Sequence, residues 1–84
     1  MNGVILSATF VLSNTNHYHI TGIAMDCDKV MDGHTILTSR VVGVSADFEN
    51  DGLLVKTKNS EYFLPSESII ASEDLIQAVI RSLE

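Results

Sequence analysis

Eighty-four residues carrying a net charge of −6 at pH 7 form a single domain, residues 1–84. A chain of that length buries only about 60–65% of the surface its unfolded form exposes, so its stability is modest unless it associates. Five Lys and Arg against eleven Asp and Glu exclude the basic footprint that direct nucleic-acid binding and anionic membrane surfaces draw on, and favour a protein partner with a basic surface.

The chain starts Met-Asn-Gly-Val-Ile-Leu, without the basic and long apolar regions of a signal peptide. Val4, Leu6, Ala8, Phe10 and Leu12 then alternate with Ile5, Ser7, Thr9, Val11 and Ser13. Period-two alternation predicts a strand with the first set facing the core. Asn14-Thr15-Asn16 follows as a turn, since Asn tolerates left-handed φ. A three-residue loop pairs Leu12 with Tyr18 and Phe10 with Ile20, which predicts a second strand over about residues 17–24. Residues 25–34 read as a connecting loop ending in Asp32-Gly33. Its Cys27 is the chain's single cysteine, which excludes an intramolecular disulfide and any multi-cysteine zinc framework and suits a cytoplasmic location.

Residues 35–64 hold three extended runs separated by the turn signals Asp51-Gly52 and Asn59-Ser60. A type I′ turn on Asp51-Gly52 pairs Asp47 with Lys56, Phe48 with Val55 and Ala46 with Thr57. A turn on Asn59-Ser60 pairs Lys58 with Glu61, Thr57 with Tyr62 and Val55 with Leu64. The two registers agree on one apolar face of Val44, Ala46, Phe48, Val55, Thr57, Tyr62 and Leu64. The opposite face collects Asp47, Lys56, Lys58 and Glu61, unlike charges facing across strands. Pro65 ends the last strand.

Ser72 reads as a helix N-cap, with Glu73 and Asp74 where the helix dipole favours negative charge. Leu75, Ile76, Val79, Ile80 and Leu83 form an apolar stripe on a helix of about twelve residues, which is marginal alone and needs the sheet to pack on. No run approaches the roughly 18 apolar residues of a membrane span.

These elements predict an α+β fold: a five-stranded, mainly antiparallel, twisted sheet made of a β-hairpin and a β-meander, with one C-terminal helix covering or flanking one face. A partly closed small β-barrel with the same helix is the alternative. A hydrophobic content of 45% and a mean hydropathy of +0.22 are high for a lone small domain and argue against disorder. They predict a homodimer, formed through an apolar edge strand or through the side of the first strand that carries Ile5 and Val11.

Asp47-x-Glu49-x-Asp51-Gly52 imitates the start of a calcium-binding EF-hand loop, but the twelfth position is Lys58 rather than a bidentate acid, and strands rather than helices flank it. It reads as a hairpin tip. His17 and His19 point to one strand face, where His34 or Cys27 would have to complete a zinc site from a loop, so no metal is assigned. No nucleophile with a base and an orienting group, no Gly-x-Ser-x-Gly elbow and no phosphate-cradling glycine loop is present. The expectation is a non-enzyme without a cofactor. Asp26, Asp28 and Asp32 in the long loop, with Asp47, Glu49 and Asp51 at the tip, are the candidate partner-binding residues. Thr38, Ser39 and Arg40 are the alternative, a site for a small anion.

The pattern Asp32-Gly33-x-x-Ile36-x-Thr38-Ser39-x-Val41, then Val55-x-Thr57-x-x-Ser60-x-Tyr62-x-Leu64, resembles one found in small accessory proteins of bacteria, phages and plasmids. Small size, acidity and the lack of a catalytic constellation are similar to anti-CRISPR and other anti-defence proteins. The resemblance is one of type and places no family site on this chain. It implies an inhibitor that binds a protein and masks a basic, nucleic-acid-binding surface in the bacterial cytoplasm. The alternatives are a homodimeric binding module for an anionic or nucleotide ligand, a structural or assembly subunit, and a toxin-neutralising immunity protein.

Overall fold

The computed structural model describes residues 2–84. Five strands, β1 (Gly3–Leu12), β2 (Tyr18–Met25), β3 (Thr35–Asp47), β4 (Gly52–Thr57) and β5 (Glu61–Pro65), follow one another around a closed ring. A 3-10 turn, Ser66–Ser68, leads to one helix, α1 (Glu73–Ser82). This is the expected α+β meander with a C-terminal helix. Successive strands pair antiparallel, so with five of them the first and last run the same way. The seam that closes the ring is accordingly parallel, with Gly3 opposite Tyr62 and Val4 opposite Phe63.

Asn2 completes the seam. Its N–H donates to the Glu61 carbonyl at 2.7 Å and its Oδ1 accepts from the Glu61 N–H at 2.8 Å. Its own carbonyl accepts from the Asp28 N–H, and its Nδ2 donates to Asp28 Oδ2 at 3.0 Å. One side chain thus ties β5 and the loop after β2 to the start of β1.

The first hairpin has the expected register, Leu12 opposite Tyr18 and Phe10 opposite Ile20. The alternation along β1 does not run through, however. Ser7 adopts a φ of +50° and the register shifts between Leu6 and Thr9. A bulge adds one residue and so exchanges inside for outside. Ala8 and Phe10 face the core as expected, but before the bulge it is Ile5 that is fully buried, while Val4 and Leu6 face outward. The bulge is held from the chain's far end. The Ser7 N–H donates to Ser68 Oγ at 2.8 Å, and the Ala8 carbonyl accepts from the Ile70 N–H at 2.8 Å and the Ala71 N–H at 3.3 Å. Residues 68–71 therefore lie against β1 and bring α1 onto the ring.

The meander also differs from expectation in register. Val55 pairs with Val44 rather than Phe48, and with Tyr62 rather than Leu64. Both slips are even, four residues and two, so the faces survive: Val55, Thr57, Tyr62 and Leu64 are buried and Val44 packs against them. Ala46 and Phe48 are displaced from the core to the exposed end of the hairpin. Lys56 now faces Glu61, and Asp47 faces Gly52.

Ser72 caps α1 by accepting the Leu75 N–H at 3.2 Å, with Glu73 and Asp74 in the first turn and Arg81 in the last. Its apolar stripe rests Leu75 and Ile76 against the ring and buries Val79. The core is Ile5, Ala8, Phe10, Ile20, Ala24, Ile36, Val41, Val55, Tyr62, Leu64 and Val79, drawn from every strand and the helix. Among the described residues, no helix is long and apolar enough to cross a membrane.

Candidate functional site

The turn between β3 and β4 is built by Asp47 rather than by Asp51-Gly52 as a pair. Asp47 Oδ1 accepts the Asn50 N–H at 3.2 Å and Oδ2 accepts the Asn50 Nδ2 at 2.9 Å. An aspartate that bonds the backbone a few residues on is a local turn former. It closes the reversal over residues 48–51, and Asp51 supplies the left-handed residue with a φ of +54°. The Asp51 carbonyl then accepts the Ser66 N–H at 3.0 Å, tying the tip to the chain leaving β5. Gly52 has a packing role: a Cβ there would strike the Leu64 carbonyl oxygen and the Phe63 ring.

Phe48 stands at the apex of this braced tip with 92% of its surface exposed, the most exposed large hydrophobic residue among the described residues. Asp47, Glu49 and Asp51 surround it in sequence. Beside the tip, on the outer face of β4 and β5, lies a shallow cavity of about 440 Å³ lined by Asp47, Asn50, Leu54, Glu61 and Phe63. Its floor is apolar and its rim is acidic. An aliphatic stem ending in a cation, as in lysine or arginine, matches both parts.

The remaining candidates are distributed differently. Asp26, Asp28 and Asp32 lie in the loop entering β3, whereas Asp47, Glu49 and Asp51 cluster where β3 ends, at the far end of a thirteen-residue strand. The six acids form two surfaces, not one. Within the loop, Asp26 has a φ of +54° and donates its N–H to Asp32 Oδ1 at 2.8 Å, while Asp28 is held by Asn2. Two of these three carboxylates thus brace the loop.

Thr38, Ser39 and Arg40 sit at an irregularity where β2 and β3 lose register between His19 and Thr21. Thr38 is 7% exposed, and its hydroxyl accepts the Ile20 N–H at 3.0 Å and donates to the Ser39 carbonyl at 2.7 Å. It replaces the ladder bond that the bulge removes. Ser39 Oγ accepts the Asn59 N–H at 3.3 Å and the Arg40 carbonyl accepts the Lys58 N–H at 3.0 Å, joining this kink to the β4–β5 turn. The three residues do not converge on one anion site: one hydroxyl is buried and committed, the other holds a turn, and the exposed guanidinium is left to solvent.

His19 Nδ1 bonds the Thr38 carbonyl at 2.9 Å, and His17 precedes β2 in the turn, where it bonds Ser13 through its backbone. The Cys27 thiol faces the Val4 and Met25 carbonyls. Among the described residues, no group of three or more His, Cys, Asp or Glu is arranged to hold a metal ion. A further groove of about 430 Å³ runs between α1 and the end of β3, with Val44, Ala46, Leu53, Ile76 and Ile80 in its walls.

Phe48 is the site residue that sequence reasoning missed. The signal was present: one large apolar residue flanked by Asp47 and Glu49, in a segment otherwise acidic up to a turn. Compared with known proteins, the chain matches no protein-family model, no curated protein and no solved structure.

Proposed function

We propose that this protein works without catalysis, by binding a partner protein that presents a basic surface, and that the β3–β4 tip is its contact. The observation that carries this reading is Phe48, almost wholly exposed on a turn that three separate interactions brace and three acids surround. Leaving an aromatic ring in water gains nothing for the fold. Buried at an interface, the same ring is the kind of anchor that dominates binding energy, and surrounding charges steer the encounter. The cavity bordered by Asp47 and Glu61 supplies a seat for a partner's lysine or arginine. Bracing limits the ordering entropy that a loose loop would lose on binding.

A basic surface that normally holds nucleic acid is the partner type that fits an acidic tip, since the carboxylates take the place of phosphates. Together with the chain's resemblance in type to anti-defence proteins, this gives the specific form of the proposal: an inhibitor that occludes such a surface. The test is quantitative capture of proteins from the native host's lysate on the tagged full chain, beside Phe48→Ala and the double variant Glu49→Lys/Asp51→Lys. Proteins retained by the wild type at low salt and lost by both variants are expected, and competition by added DNA or RNA tests occlusion. An identical retained set for all three chains overturns the assignment.

A further inference from the structure

The outer surface of the ring from β1 to β3 has a character of its own. Strand pairing lays two rows across it, Leu6–Ile23–Thr35 and Thr9–Thr21–Leu37. Val4 beside Met25 extends the first margin and Val11 beside His19 the second, so Arg40, opposite His19, is the first permanently charged residue met. Leu37 is 66% exposed, Val11 40% and Ile23 38%, and none of them belongs to the core cluster. In a chain with 19% charged residues, a three-stranded face whose one permanent charge is Arg40 at its margin is a distinct surface. It carries part of the chain's exposed apolar surface.

We infer that a second copy of this chain docks on this face, the two sheets packing about a two-fold axis close to Thr21. Three arguments select that occupant. Each copy carries −6, so copies repel through their acidic surfaces but meet here with no carboxylate to desolvate or to oppose. A basic partner, by contrast, finds nothing on this face to pair with. The surface also suits a symmetric contact: it is a convex flank of the ring whose threonines and aliphatic side chains are centred on β2, and an isologous contact needs one self-complementary patch. Finally, three strands roughly 4.8 Å apart and about 20 Å long bury on the order of 1,000 Å² in total across both copies. That is the lower edge of specific interfaces, so the dimer is expected to dissociate on dilution.

The sequence pointed to an apolar edge or to the side of β1 bearing Ile5. The seam between β1 and β5 removes the edge at their starts, and the bulge at Ser7 divides the other route: Ile5 is buried, while Thr9 and Val11, on the same side in the sequence, lie on the inferred face. The inferred contact shares no residue with the β3–β4 tip, and the two are separable by mutation.

Sedimentation velocity of the full chain from low to high micromolar concentration tests the inference. The wild type should shift from monomer to dimer, Phe48→Ala should shift identically, and Leu37→Lys should raise the dimer dissociation constant about a hundredfold or more, because it buries an unpaired charge in the contact. Thr35→Lys, at another exposed position on the same face, repeats the test, with circular dichroism confirming that both variants fold. Thr21→Cys in a Cys27→Ser background should oxidise to a covalent dimer. A wild type that remains monomeric throughout, or a dimer unaffected by both lysines, overturns the inference.

Discussion

Among the regions of this molecule that show apolar side chains to water, two do so in opposite ways. At the β3–β4 tip a single aromatic ring, Phe48, projects from a reversal surrounded by acids. On the flank formed by β1, β2 and β3, several smaller side chains stand among threonines with no charge between them. A projecting ring in a negative field suits a concave, basic and dissimilar partner. A neutral face suits its own likeness. Hydrophobic exposure alone does not separate these cases; the surrounding charge does.

The contrast can be broken by attacking what holds each region. The largest effect is expected from Gly52→Val, whose side chain would meet the Leu64 carbonyl and the Phe63 ring at the base of the tip. A loss of about 3 kcal/mol in urea unfolding is expected, with tip binding lost before the fold. Thr38→Val attacks the flank. It keeps the shape but leaves the buried Ile20 N–H without its acceptor, costing about 2 kcal/mol by the same measurement. Phe48→Ala and Leu37→Lys sharpen the contrast by doing little: each should change stability by no more than about 0.5 kcal/mol, since both side chains are mostly in water. A large loss for either would mean that the residue serves the monomer's fold and not an interface.

Much of this architecture was legible in the residues, because a strand's side chains alternate with a period of two. That periodicity assigns faces correctly even where it assigns partners wrongly, as the meander shows: Val55, Thr57, Tyr62 and Leu64 are buried although their expected pairings were displaced by two or four positions. Register depends on the turn, and the turn depended on one side chain. Asp47 closes the reversal before Asp51-Gly52 is reached, and this sends Phe48 out to the tip instead of into the core. In β1 the alternation was interrupted at Ser7, where the chain yields to a contact with Ser68 that lies 61 residues ahead. No local pattern encodes a partner at that range. The acids of the candidate site were legible as residues but not as a surface, because β3 sets Asp26, Asp28 and Asp32 apart from Asp47, Glu49 and Asp51.

The odd number of strands has a consequence for the molecule's polarity. Because β1 and β5 run the same way, the ring has two unlike poles. At one, Asn2 gathers Glu61 and Asp28; at the other, Ser66 leaves β5 beside Asp51 and the chain turns toward α1. One strand fewer would have returned the chain to the pole where it began. As built, a reporter group attached near Asn2 would stand at the pole opposite Phe48, while one placed in the segment after Pro65 would share the pole with the tip. The count of strands, more than any single residue, decides that the two attachment points stand at opposite ends of the ring.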